Sequence, residues 1–139
     1  MTPPLEQPLS GPLAGRSALV TGGGRGIGRA IAHALADQGA SVMVADLNAD
    51  SARRVAGELP AGQAASIGAD VSDLADVDRM ILETVSVFGG LDILVNNAAV
   101  TRFVDVMDIT PQDWDRMHSV NARGTFFAMQ RGARLMIET

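Results

Sequence analysis

Cysteine, lysine and tyrosine are missing from this 139-residue sequence. Without cysteine there are no disulfides and no thiolate metal sites, a pattern that fits a reducing compartment, so a cytoplasmic location is expected. His33 and His118 are the only histidines, and no metal site is expected. All eleven basic residues are arginine, and against sixteen acidic residues they leave a net charge of -5. Only Arg53 and Arg54 are adjacent, so the basic stripe that a nucleic-acid backbone requires is lacking. No apolar run approaches the roughly 18 residues of a membrane span, so no membrane partner is expected.

What remains is a 47% hydrophobic, 19% charged chain, the composition of one globular domain. Four of the six prolines fall in the opening MTPPLEQPLSGPLAG, so residues 1–14 are expected to form a flexible, mostly extended tail ahead of a domain at 15–139. From Ser17 onward, short apolar runs alternate with segments of helical period, the pattern of an α/β fold whose parallel strands are joined by crossover helices. Strands are predicted at Ser17 to Thr21, Ser41 to Asp46, Ala64 to Ala69 and Leu91 to Asn96. The first helix carries Ile27, Ile31, Ala34 and Leu35 on one face and stops at Gly39. The second runs from an Asn48 cap to Leu59 before Pro60, and the third begins at a Ser72 cap and ends at Gly89 and Gly90. A single long helix capped by Thr110, with Pro111 at its first position, is expected to fill the rest. Its apolar residues, among them Phe126, Phe127, Met129 and Ile137, wrap most of its circumference, as if covered from two sides.

The densest signal is TGGGRGIG, Thr21 to Gly28, between the first strand and the first helix. Glycines there let the backbone approach a ligand, and the helix N-terminus beyond them favours an anion such as a diphosphate. A P-loop would need a lysine after its last glycine, and Arg29 stands there instead. The strict G-x-G-x-x-G spacing also fails, because Ile27 falls where the third glycine should be; the spacing is G-x-x-x-G-x-G on Gly22, Gly26 and Gly28. Taken alone, such a loop serves equally as a tight joint or as a cofactor loop. Asp46 ends the second strand 18 residues after Gly28, near the offset at which a carboxylate receives ribose hydroxyls, although an Asp at a strand end also serves simply as a turn residue.

Together with Asp46 in ADLN, the motifs ADV at Asp70 and Val71, NNAA from Asn96 and VNARG at Asn121 make the sequence from Gly15 onward resemble the short-chain dehydrogenase/reductase family. The resemblance implies a Rossmann-type doubly wound parallel sheet, truncated after the helix that follows the fourth strand. It implies that Gly22, Arg25, Gly26 and Ile27 surround the diphosphate and adjoining ribose, with Gly28 allowing close helix packing. Asp70 would accept the adenine amino group, the Val71 backbone would meet the ring, and Asn96 would lie beside the nicotinamide ribose. Asn121, which by itself suggests a solvated or kinked turn, would be the catalytic asparagine that frees a backbone carbonyl to hold water. Ala99 departs from the glycine common at its position. His118 and His33 are expected to be structural, and Trp114 to pack or to border a substrate entrance.

Charge bears on the choice of cofactor. A 2'-phosphate facing Asp46 costs about 1 to 4 kcal/mol per charge at contact range, which favours NAD over NADP, while Arg25 offsets part of that preference. The family's chemistry moves hydride between a nicotinamide and an alcohol or carbonyl carbon, with Tyr as acid or base, Lys lowering its pKa and Ser orienting the substrate. Neither Tyr nor Lys occurs here, so the expectation is a truncated cofactor-binding half of an NAD(P)-dependent oxidoreductase on an alcohol, ketone, sugar or polyol, homo-oligomeric when full length. The alternatives are an inactive nucleotide-binding module and a non-functional fragment. The strand Leu91 to Asn96 is expected to present an unpaired apolar edge, with aggregation as its consequence.

Overall fold

The computed structural model describes residues 10–139. Four parallel strands, β1 (Ser17–Thr21), β2 (Ser41–Asp46), β3 (Ala64–Gly68) and β4 (Ile93–Val95), form one sheet in the order β3-β2-β1-β4. Helix α1 (Gly26–Asp37) joins β1 to β2, α2 (Ala49–Glu58) joins β2 to β3, and α3 (Leu74–Phe88) joins β3 to β4. The order turns from β2 to β4 on either side of β1, so a crevice opens beyond the carboxyl ends of these strands. This is the doubly wound architecture expected from the sequence.

Side-chain alternation along the strands builds two cores. In register, Ala18 pairs with Val42 and Val20 with Val44. Val20, Val42 and Val44 pack with Ala32 and Ala36 of α1 and with Ala52 and Val55 of α2. Leu19 and Met43 point to the opposite face, where Val77, Met80 and Ile81 of α3 cover them. Both faces are therefore dry, which is why β1 and β2 read as continuous apolar runs rather than alternating ones. Leu19, Met43 and Met80 are fully buried, and each such side chain contributes roughly 1.5 to 3 kcal/mol.

The expected tail divides. Its first nine residues lie outside the described part of the chain, whereas residues 10–14 are docked and not free. Leu13 packs against the core on the α1 and α2 side, and its N–H donates to the Gln38 carbonyl at 2.9 Å. The Asn48 cap is present, its side chain accepting from the Ser51 N–H. The cap of α3 is Asp73 and not Ser72: the Asp73 carboxylate takes the Ala75 N–H, while Ser72 bonds back to Asp70. β4 is also shorter than Leu91 to Asn96, because only Ile93 to Val95 pair with β1.

The long final helix is in fact three pieces. α4 (Pro111–His118) starts at Thr110 with a reciprocal Thr110–Asp113 cap, a π-helical turn follows at Ser119–Gly124, and α5 (Thr125–Glu138) continues from it. The wider turn sits where the Asn121 side chain bridges to Val100, and where a Cβ on Gly124 would come within 2.6 Å of the Val71 carbonyl oxygen. Inserted turns of this kind mark places where a helix accommodates a contact that a regular ladder would not. On α5, Ala128 and Gly132 are buried, but Phe126, Met129 and Ile137 stay exposed. Among the described residues no helix is long and apolar enough to cross a membrane.

Candidate functional site

A cleft of about 370 Å³ lies over the carboxyl ends of β1, β2 and β3. Gly22, Arg25, Gly26, Ile27, Asp46, Asp70 and Val71, all expected at the site, line it. The glycine loop reaches this position because Gly22 and Gly26 adopt φ of +64° and +54°, which side chains disfavour. Gly22 also lies against β4's loop, where an added Cβ would be 2.9 Å from Ala98 Cα. Gly28 does not border the cleft. It lets α1 press onto the loop, since a Cβ there would collide with the Gly22 carbonyl oxygen.

Asp46 is bound into the rim. One carboxylate oxygen accepts the Gly24 N–H and the other the Asn48 N–H, both at 2.9 Å. The loop is thus fixed by the same side chain that faces the cleft, and Gly24 can carry no Cβ without meeting that carboxylate at 2.8 Å. Asp70 is held in a comparable way: Oδ1 takes the Ser72 N–H and hydroxyl, and the Asp70 N–H donates to Asp76. That N–H is the main reason the Asp76 carboxyl lies below the usual carboxylate range, with Arg79 adding to it.

Asn96 is the expected site residue that the fold carries elsewhere. It borders a second, open groove with Leu94, Met129 and Met136 on the α5 side of the sheet. Successive residues at a strand end point to opposite faces, so Asn97 takes the cleft side instead. Its side-chain amide donates to the carbonyls of Thr21 and Gly22 at 3.1 Å each, and its own N–H and that of Ala98 donate to the Thr21 hydroxyl. Asn97 and Thr21 therefore clamp the start of the glycine loop. The alternation Leu94, Asn96 against Val95, Asn97 was the available signal for this choice.

Asn121 also works through the backbone. Its Oδ1 accepts the Val100 N–H and its Nδ2 donates to the Val100 carbonyl, each at 2.8 Å. The side chain fixes Ala99 and Val100 as one wall of the cleft, with Val120 beside them. His118 stacks on Trp114 at 4.1 Å, and its Nδ1 lies 2.9 Å from the Trp114 carbonyl oxygen. His33 bonds to Glu58, which Arg29 also grips, so both histidines are engaged outside the cleft. No cluster of metal-binding side chains occurs among the described residues. Leu47 and Arg116 line the cleft without having been singled out in the sequence.

Residues 16–139 match the short chain dehydrogenase family. The chain belongs to that family. It is 46% identical over 101 residues to sorbitol dehydrogenase of Cereibacter sphaeroides, covering 72% of this chain and 39% of that protein. Against galactitol 2-dehydrogenase of Agrobacterium fabrum it is 39% identical over 103 residues, or 73% of this chain and 40% of the other. Among solved structures, 3-ketoacyl-(acyl-carrier-protein) reductase from Brucella melitensis, complexed with NADH, superposes with a TM-score of 0.82 at 38% identity. That match covers 86% of this chain and 49% of the reductase. The matched part is thus half or less of each of these relatives.

Proposed function

We propose that these residues are the cofactor-binding half of a nicotinamide-dependent oxidoreductase, with NAD preferred over NADP and a small alcohol or carbonyl compound as substrate. The observation that carries this reading is Asp46, whose carboxylate lines the cleft while tying the glycine loop through Gly24. Its negative charge at the cleft rim suits ribose hydroxyls and opposes a 2'-phosphate, with Arg25 reducing that opposition.

The residues present fit such a group. Gly22 and Gly26 expose backbone where a side chain would intrude, and the N-terminus of α1 has no capping side chain, so its free N–H groups can serve a diphosphate. Asp70 and Val71 offer a carboxylate and an apolar wall for a base. When bound, the nicotinamide supplies the hydride donor or acceptor. On this chain, Asn121 acts by holding Val100 in place from within the π-helical turn. The polyol and ketoacyl names of the relatives support an alcohol or ketone substrate. The exposed apolar residues of α5 support a homo-oligomer.

A second reading, a nucleotide-binding module without catalysis, is favoured by one fact: no tyrosine or lysine is present to serve as the family's acid–base pair. The binding claim is tested by titrating the purified chain with NADH and NADPH and following nicotinamide fluorescence. Saturable binding with NADH tighter is expected, and Asp46→Ala should narrow the ratio of the two affinities. No saturable binding, or an unchanged ratio, overturns the assignment. Hydride exchange by the bound nicotinamide then separates enzyme from binding module.

A further inference from the structure

Two walls of the cleft belong to separate segments of the chain, and one helical turn touches both. On one side Asn121, within the π-helical turn Ser119–Gly124, bonds to the N–H and the carbonyl of Val100. On the other, Gly124 packs so closely on Val71 that an added Cβ would lie 2.6 Å from its carbonyl oxygen, and Arg123 Nη1 donates to the Ser72 carbonyl at 3.1 Å. The hydrogen bonds of Ser72 make that last contact reach the cleft. Its N–H and hydroxyl both donate to Asp70 Oδ1, at 2.9 and 2.7 Å, and the Asp73 N–H donates to the Asp70 carbonyl at 3.0 Å. The turn 70–73 is therefore closed on itself, and whatever holds Ser72 also places Asp70 and Val71.

Ser72 precedes the Asp73 cap, so its carbonyl lies outside the α3 ladder and takes its donor from Arg123. A guanidinium donor makes this a charge-assisted bond, stronger than a neutral one. We propose that Arg123 is a positioning residue of the cleft, holding the turn 70–73 in a fixed place relative to the Val100 wall. The proposal rests on the reading of the cleft as a dinucleotide site and adds to it a residue that does not border the cleft. Arg131 provides a contrast within the same contact. Both guanidiniums flank the Phe127 ring, 5.7 and 5.9 Å from its centroid, and both donate to carbonyls near the start of α3. Arg131, however, bonds to Leu74, already inside the helix, and pairs with Asp78. It fastens α5 to α3 with no bond to the turn 70–73 among the described residues.

The test sets Arg123→Leu, a change at an exposed position, against Arg131→Leu, which removes the same charge. ADP-ribose affinity is measured by calorimetry on the full chain, and hydrogen exchange is followed at the Asp70 and Ser72 amides. Arg123→Leu should weaken ADP-ribose threefold or more and speed exchange at both amides, while Arg131→Leu should leave the affinity within twofold and both amides unchanged. Arg123→Lys, which keeps a cationic donor, should recover part of the affinity and of the protection. Equal weakening by the two leucine variants would mean that only the docking of α5 on α3 matters, and it overturns the assignment. Weaker binding in Arg123→Leu with unchanged exchange would mean that only the charge acts, and it overturns the assignment too, as does an unchanged affinity. If the unmodified chain does not bind ADP-ribose, the dinucleotide reading has failed. The exchange rates still decide whether Arg123 holds the turn, so the two failures are distinguishable.

Discussion

β1 and β4 are neighbours with similar apolar sequences, yet they live in different surroundings. Every residue of β1 is buried, whereas all three residues of β4 are only half-buried, and Ile93 and Leu94 border the open groove below α5. On the β1 side the chain supplies its own partners: Asp46 takes the Gly24 N–H, and Asn97 donates to the carbonyls of Thr21 and Gly22. On the β4 side, Met129 and Asn96 look onto solvent. The difference teaches that the binding half of the site is organised by residues within this chain, while the flank beyond β4 is not covered by any of the described ones.

The comparison breaks most severely if the close approach on the β1 side is blocked. Gly28→Val would drive a branched side chain into the Gly22 carbonyl, which is backbone and cannot swing aside, and into the Asn97 side-chain amide. Overpacking of this kind costs about 3 kcal/mol at the upper end of its range, so urea denaturation should show that loss together with abolished ADP-ribose binding. Gly57→Ala is the matched control. Among the described residues no atom lies within 4 Å of the added Cβ, in the last turn of α2, and replacing a helical glycine there should stabilise by less than about 1 kcal/mol. Equal effects of the two substitutions would show that packing at Gly28 is not what shapes the loop.

A smaller effect is expected at the far wall of the cleft. Asn121→Ala removes both bonds to Val100 and leaves a backbone N–H and carbonyl to find water or go unpaired. The cost should be about 1 to 3 kcal/mol, read by denaturation, with faster hydrogen exchange at the Val100 amide and little change at β1. If exchange rises equally at Val100 and in β1, the wall and the glycine loop are one cooperative unit and the contrast between flanks is weaker than the geometry implies.

Local chemistry made much of this fold legible in advance. The bounds of β1 and β2 match the apolar runs, and Asn48 and Thr110 cap helices as their side chains dictate. What escaped was set by geometry between distant segments. Ser72 was outcompeted as a cap because the neighbouring Asp73 offers the stronger acceptor and Ser72 is engaged by Asp70. The π-helical turn arises from the contacts of Asn121 with Val100 and of Gly124 with Val71, each spanning more than 20 residues of chain, so no helical period could announce it. Arg116 carries no signal in the sequence, and only the path of α4 brings it to the cleft. Asn96 and Asn97 differ only in parity, which the strand direction alone decides.

The smallest effect sharpens the comparison through acid. Asp92 ties the start of β4 to β1, accepting the Ser17 N–H at 2.8 Å, the Ser17 hydroxyl and Arg16; these contacts, the backbone N–H foremost, hold its carboxyl below the usual range. Asp76 does the same at the cleft rim through the Asp70 N–H. Each carboxyl is lowered in the folded chain, so its contribution is fully present above the ordinary value of about 3.9 and is lost as pH falls through the lowered one. Both are partly exposed, and each should contribute no more than about 1 kcal/mol. Urea midpoints measured from pH 6 down to pH 3 should therefore fall mainly below pH 4, and either Asp92→Asn or Asp76→Asn should flatten that fall. The two variants part in their second readout. Asp76→Asn should weaken ADP-ribose binding at pH 7 because the bond that the Asp70 N–H donates to residue 76 loses its charge assistance, whereas Asp92→Asn should leave it unchanged, and a loss of affinity in Asp92→Asn would mean that the β4 flank governs the cleft after all.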